Sequence, residues 1–527
     1  MAGPKAPRAD NAHSFRYCDG PMTDLHASYR KLVLQVRKLS RLEEALKLLE
    51  WDQATYMPPG AHGERAEQTA TLAAVVHDQR IAPQLLSLID ELAAHLPELS
   101  PSAAVDVREL KWRADRLRRV PTALQSARAQ AQSLARSAWS EARETGQFQL
   151  LAPHLEEVVR LEREYAQAIA GDGDLYQVLL EEYEPGIPES LVREVFEQLR
   201  KPLRQFAQRL TDLAEQRRKY PSVLRGSYPI SSQRELNRYV AERVGFDFSC
   251  GRMDESAHPF SISIGRDYRI TTRYDVSDLR VGLYSTLHEV GHALYEQGLL
   301  PEAHGLPRGS ACSLGIHESQ SRLWENFVGR SEAFWRFLLP QACRVFPTLR
   351  NASLDAILAD VNEAHPTFIR TEADEITYNL HVLVRYELER KLIEGELQVM
   401  DLPDAWNAKM RELLGIVPPS AREGVLQDIH WPSGAFGYFP TYTLGNVFAA
   451  QMMEAVDQQI GPLSPHIERG DFTPLLDWLT RNIYHFGQQY RSTELVFRLT
   501  GSPPSARALL HHLHLRLEWL ESHARRP

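Results

Sequence analysis

The sequence predicts a mainly α-helical fold, one large unit of two lobes with a small β-hairpin or sheet. Three observations predict it. Apolar residues recur at spacings of three or four over most of the 527 residues, the mark of helices with one buried face. A single short stretch, 258–274, is rich in strand formers. No repeat of fixed period and no low-complexity tract breaks the chain, so one unit fits better than several linked domains.

Taken in order, residues 24–50 place Leu25, Tyr29, Leu32, Val36, Leu39, Leu42, Leu46 and Leu49 on one helical face. Similar patterns fill 60–97, 102–143 and 151–170. Gly171-Asp172-Gly173-Asp174 reads as a turn. Helix returns over 188–217, with Pro188 and Ser190 suited to its start, and Tyr220-Pro221 stops it. In 258–274, Ile262, Ile264, Tyr268, Ile270, Thr271, Thr272 and Tyr274 favour strand around a Gly265-Arg266-Asp267 turn. Beyond residue 275 helix resumes almost to the end, with Pro418-Pro419 and Pro503-Pro504 marking connections.

Composition bounds the function. Hydrophobic residues make up 43% and charged residues 24%, the balance of a globular protein with a substantial core. Sixty Lys and Arg against 69 Asp and Glu give a net charge of −9, which disfavours non-specific nucleic-acid binding. No apolar run approaches the length of a membrane span. Cys18, Cys250, Cys312 and Cys343 are too few and too scattered for a disulfide scaffold, which points to a reducing, cytoplasmic setting. The N-terminus lacks the apolar core of a secretory signal. Residues 1–22 read as a disordered tail, Met22 is an alternative start, and 23–527 read as a single helical domain.

The strongest chemical signal is His288-Glu289-Val290-Gly291-His292. Two histidines at i and i+4 share one helix face, one turn apart, and can reach one Zn²⁺ together. Glu289 beside the first can take a proton from a water at the open position. Asp275, Ser277 or Asp278 can cap the helix, and Leu283, Leu287, Val290 and Leu294 give it an apolar stripe. By itself the pattern also describes a solvated helix face.

A catalytic zinc takes three protein ligands. Downstream stand Glu296, His304, His317 and Glu318. Glu296, further along the same helix, reads as a solvated side chain, and His304 lies in a Pro/Gly-rich loop. His317-Glu318-Ser319-Gln320 opens a new helix after enough chain to turn back. Glu318 is the third ligand chosen, with His317 as the alternative or as a partner behind the ligands. A carboxylate in a first helical turn also suits the helix dipole without any metal. His511-His512-Leu513-His514 scatters its rings around a helix and reads as a solvated stretch.

Here the chain resembles a known family, the carboxypeptidase Taq family of metallocarboxypeptidases. The resemblance starts near Leu49-Glu50-Trp51-Asp52 with Met57-Pro58. It continues through His258-Pro259-Phe260, Asp267-Tyr268-Arg269-Ile270-Thr271, the HExxH segment and His317-Glu318-Ser319-Gln320. It closes with Ile369-Arg370-Thr371-Glu372-Ala373-Asp374 and Gly424-Val425-Leu426-Gln427-Asp428-Ile429-His430-Trp431. It covers nearly the whole chain beyond the tail. The resemblance implies an elongated helical metallopeptidase with a deep active-site groove, similar to angiotensin-converting enzyme and the oligopeptidases. It implies removal of single C-terminal residues from peptides with broad specificity and reluctance towards proline, a homodimer, and one zinc or cobalt ion per chain. The family's metal ligands map onto His288, His292 and Glu318, and its general base onto Glu289.

The remaining roles follow from the chemistry such a reaction needs. An oxyanion needs a donor besides the metal, and by similarity to related dipeptidases Tyr438 is the first choice, with Tyr442 the runner-up and His430 a contact for the substrate carbonyl. A free α-carboxylate suits a guanidinium fork. Arg370, oriented by Asp374 at i+4, is the first candidate and Arg269 the second. A sheet edge at Asp267–Thr271 could pair with an extended peptide. Two competing readings remain: a zinc oligopeptidase or dipeptidyl carboxypeptidase of similar fold, and a non-enzymatic helical scaffold.

Overall fold

Proline sets the helix boundaries in the first third of the chain, because it lacks an N–H and suits a first helical turn. The computed structural model describes residues 24–217 and 222–523. The expected tail and the Tyr220-Pro221 stop lie outside the described residues. Helix α1 spans Asp24–Thr55. The single pattern read over 60–97 divides into α2 (His62–Arg80) and α3 (Pro83–Ala93). That over 102–143 divides into α4 (Pro101–Arg119) and α5 (Thr122–Thr145), parted at Pro121. Then follow α6 (Phe148–Ala170), α7 (Leu175–Glu181), α8 (Glu189–Arg217) and α9 (Ile230–Val244).

The small sheet has three strands, the expected hairpin and a strand before it that the sequence does not signal. They are β1 (Gly251–Glu255), β2 (Ser261–Ile264) and β3 (Asp267–Thr272), in the order β1-β3-β2. β2 and β3 form the expected hairpin, with Ile264 opposite Asp267 and Gly265 at positive φ in the turn. β1 pairs parallel with β3. Its sequence, Gly-Arg-Met-Asp-Glu, has almost no strand propensity; tertiary pairing overrides propensity here. β3 is therefore central, and the free edges belong to β1 and β2. The expectation of a peptide-binding edge on Asp267–Thr271 is corrected accordingly.

Beyond the sheet stand α10 (Leu279–Gly298) and α11 (Leu314–Arg322), which runs into a π-turn over Leu323–Val328. Next come α12 (Glu332–Val345), α13 (Leu354–Val361), α14 (Tyr378–Glu394) and α15 (Leu402–Leu414). The last are α16 (Pro440–Ile460), α17 (Ser464–Ile467), α18 (Thr473–Asn482), α19 (Ser492–Thr500) and α20 (Arg507–His523). The prediction of near-continuous helix after 275 fails between α15 and α16, where the chain runs in turns. That stretch carries Asp428, His430 and Tyr438.

Two hydrophobic cores form. The smaller joins α1, α3 and α4 through Leu32, Leu92 and Val107, and takes in Leu306 from the loop after α10. The larger gathers most of the remaining helices. A cleft of about 800 Å³ opens between them, reaching from Glu43 and Glu44 of α1 to Ser263 and Glu296. No helix among the described residues is long and apolar enough to cross a membrane. Cys250, Cys312 and Cys343 are free thiols; Cys18 lies outside the described residues.

Candidate metal centre

Helix α10 forms as its sequence dictates. Asp278 caps it by accepting from Arg280 N at 3.0 Å, an interaction that contributes about 1 kcal/mol. Leu283, Leu287, Val290 and Leu294 are buried, each such leucine contributing about 1.5–3 kcal/mol. This stripe anchors the helix and leaves His288 and His292 on the adjoining face.

Two glycines bring the third donor into reach. Gly291 of α10 lies against α11 so closely that a Cβ there would stand 2.6 Å from Gln320 O and 2.7 Å from Ser321 Cα. On the opposite flank, Gly445 of α16 lies against Glu318, where a Cβ would stand 2.6 Å from Glu318 Cγ. Helix α11 is thus held between α10 and α16, with Ser313 capping its start by accepting from Ile316 N.

Glu318 Oε2 lies 3.6 Å from His288 Nε2 and 3.5 Å from His292 Nε2. The three donor atoms form one cluster. Bonds of about 2.0–2.2 Å to a tetrahedral ion set ligand–ligand edges of about 3.3–3.6 Å, so both spacings fit a single divalent ion. The ring orientations fit as well. His288 Nδ1 is 2.9 Å from Glu325 Oε2, and His292 Nδ1 donates to His317 O at 3.1 Å. With Nδ1 holding the proton, each Nε2 keeps its lone pair for a cation.

Sequence reasoning passed over Arg322 and Glu325. Arg322 donates from Nε to Glu318 Oε1 at 2.7 Å and from Nη1 to Glu325 Oε2 at 3.1 Å, and stacks over Tyr378. Ser321 Oγ donates to Glu318 Oε2 at 3.0 Å. The available signal was the spacing: 318, 322 and 325 share one helix face. The charges agree with the geometry. Burial would raise the Glu318 carboxyl, but Arg322 and the two histidines hold it well below the usual range. Burial is likewise overcome at Glu325, which Arg322 and His288 hold at about 2. Burial, with His317 nearby, pushes His292 down to about 3. Glu318 and His292 are thus in the deprotonated forms a metal requires. At His288 burial is outweighed by Glu318 and Glu325, which raise the imidazole, so a cation would have to displace its proton. Burial lifts Glu289 to about 7; a cation in the nest would draw it down again.

The other sequence candidates are placed as follows. His317 lies behind the candidate cluster, its ring stacked on His292 with centroids 4.4 Å apart. Glu296, expected in solvent, instead sits 3.2 Å from His317 Nε2. His304 pairs with Glu44 at 2.9 Å. On α20, His511 is exposed as expected, while its two neighbouring histidines make contacts the sequence did not signal. His512 meets Glu375 at 3.2 Å and packs on Phe327, and His514 stacks on Phe206.

An aromatic cluster adjoins the nest. Tyr442 stands one turn before Gly445 on α16, and its Oη is 3.1 Å from His430 Nε2. The Tyr438 ring lies 5.4 Å from Tyr442 and 5.1 Å from His430. Burial and the Glu318 carboxylate push the Tyr438 hydroxyl up, so it remains a donor. Arg370 is buried 4.8 Å over the Tyr442 ring.

Asp374 does not orient Arg370, contrary to the sequence reading. Residues 370–372 form a 3-10 turn rather than an α-helix, so i+4 is not a neighbour. Asp374 caps the entry to α14 by accepting from Ile376 N and Thr377 N. Asp428 takes the role, accepting from Arg370 Nε and Nη2 at 3.1 and 2.9 Å, while Nη1 donates to Tyr378 Oη at 2.9 Å. Arg269 pairs with Asp267 and stacks 4.2 Å over Trp51, tying β3 to α1.

Comparison with known proteins decides the family. The model of the carboxypeptidase Taq (M32) metallopeptidases matches residues 31–517. The chain belongs to this family. Among M32 relatives, it is 43% identical to thermostable carboxypeptidase 1 of Thermus thermophilus over 499 residues, 92% of this chain and 98% of that one. It is 33% identical to carboxypeptidase 1 of Bacillus subtilis over 492 residues, covering 93% and 98%. The crystal structure of the M32 carboxypeptidase from Deinococcus radiodurans superposes with a TM-score of 0.90 at 35% identity, covering 94% of this chain and all of that one. The expected helical fold is borne out. As an M32 member the protein is a metal-dependent peptide hydrolase.

Proposed function

We propose that the protein is a zinc carboxypeptidase that releases single residues from peptide C-termini, with broad side-chain tolerance and reluctance towards proline. The observation that carries this reading is the nest of two imidazoles and one carboxylate beside a buried arginine. His288, His292 and Glu318 would hold the ion, a nitrogen and oxygen set suited to zinc, with cobalt as an alternative. When bound, such an ion supplies Lewis-acid polarisation and acidifies water.

Glu289 accepts the proton of the attacking water and returns it to the leaving amine. Tyr438 donates to the developing oxyanion, with Tyr442 as the alternative. His430, held by Tyr442 Oη, contacts the substrate carbonyl. Arg370 receives the α-carboxylate. It is favoured over Arg269, whose guanidinium is committed to Asp267 and Trp51. A homodimer in the cytoplasm completes the reading. Free thiols at the three described cysteines accord with that compartment, and the dimer rests on the family resemblance.

The test is mass spectrometry of an unblocked peptide over time, with and without chelator. Stepwise loss of single C-terminal residues, abolished by chelator, supports the reading. Release of dipeptides or internal fragments would favour a dipeptidyl carboxypeptidase or oligopeptidase, and no hydrolysis at all a scaffold. Sedimentation of the purified protein tests the dimer.

A further inference from the structure

Beside the aromatic cluster, the buried charges do not cancel. Arg370 and Arg385 share one carboxylate. Asp428 Oδ1 accepts from Arg370, while Oδ2 accepts from Arg385 Nε at 2.7 Å and lies 2.6 Å from its Nη2. Arg385, on α14, has no exposed surface. Its Nη1 donates to His381 O at 2.8 Å, and its guanidinium lies 4.6 Å over Trp406. It therefore cannot touch a substrate.

Two histidines adjoin the group and add no charge. Burial and the two arginines hold His381 well below its ordinary range. Burial holds His430 at about 4. Asp428 stays ionised, since its two arginines outweigh its burial. Glu389, one turn beyond Arg385 on α14, is kept protonated by burial, which pushes it up to about 8, so two cations against one anion leave one positive charge in this buried group. A buried charge of this kind is costly unless something completes it. Arg370 engages three of its five N–H groups with Asp428 and Tyr378, so it retains donors for a second anion.

We propose that Arg385 is a positioning residue for substrate binding: by occupying the second oxygen of Asp428, it leaves Arg370 only half neutralised and so sets the affinity for the anionic end of a peptide. This rests on the reading of Arg370 as the α-carboxylate contact and adds a residue that acts through it.

The test uses the metal-loaded enzyme and two probes, N-acetyl-phenylalanine and its amide, as competitive inhibitors, with kcat and KM on an N-blocked free-acid peptide. In Arg385→Met the inhibition constant of the acid rises about 10- to 100-fold, that of the amide shifts far less, and KM changes more than kcat. Arg385→Lys retains most of the acid preference. Arg385→Met with Asp428→Asn restores the net charge and regains acid binding. Should the Met variant not fold, Arg385→Gln gives the same comparison. Acid and amide weakening together, or a double variant worse than the single, would overturn the proposal and leave Arg385 a packing residue. Arg370→Met separates the two layers. If it leaves the acid-to-amide ratio intact, the carboxylate reading itself fails. If it collapses the ratio and Arg385→Met does not, only the present inference fails.

Discussion

Arg322 holds one oxygen of Glu318 at 2.7 Å, and the other oxygen faces His288 and His292. This division of the carboxylate fixes which atom is offered to a cation. Arg322→Met should weaken metal binding about 10- to 100-fold, the range for lost partners behind a ligand, while Glu318→Ala should lose more. Competition with a chromogenic chelator measures both. Unchanged affinity in Arg322→Met would show that packing alone orients Glu318.

Gly291 and Gly445 permit the approach of α10 and α16 to α11. Gly291→Ala sets a methyl against α11 backbone, which cannot yield as a side chain does, and should cost about 1–3 kcal/mol. Gly445→Ala meets Glu318 itself and should also reduce metal content. Gly60→Ala, where nothing lies within 4 Å, is the control. Thermal unfolding with metal analysis reads all three, and a Gly291→Ala protein as stable as its parent would contradict the close packing.

Tyr438→Phe should lower kcat about 10²–10³-fold, the effect of losing an oxyanion donor, with little change in metal content. Glu289→Gln should abolish hydrolysis while still binding the ion. A near-normal kcat in Tyr438→Phe would transfer the role to Tyr442, and steady-state kinetics distinguishes them.

Glu389 gives a pH signature in stability. Buried on α14, it accepts from Tyr176 Oη at 2.6 Å, Trp431 Nε1 at 3.0 Å and Gly437 N at 3.2 Å. Arg385 is the cation that bears on it, yet burial prevails and pushes the carboxyl from 4.5 up to about 8. Within that window the folded chain binds a proton that the unfolded chain has released. Stability from this group is therefore present at low pH and lost as pH rises towards 8. Relative to Glu389→Gln, the parent should lose about 1 °C of Tm per pH unit between pH 5 and 8. Equal slopes would show that the carboxyl is ionised throughout.

Much of this was legible along the chain. The i, i+4 histidines needed only helical pitch to share a face, and α10 formed from its own cap and stripe. Choosing Glu318 over Glu296 and His304 needed only a loop and a returning helix. Other readings failed for one reason, that spacing says nothing about neighbours across space. Glu296 and His512 looked solvated and are paired, with His317 and Glu375. Asp374 looked like the partner of Arg370, but the 3-10 turn carries it to the start of α14.

The linear order of residues, then, determined the helical class, the family and the two imidazoles, because these depend on local pitch and on motifs. Only the packed molecule decided which carboxylate oxygen meets the imidazoles, and that Arg370 and Arg385 divide Asp428 between them. Those outcomes turn on contacts between segments far apart in the chain, set by how closely backbones approach at Gly291 and Gly445 and by what burial does to charge.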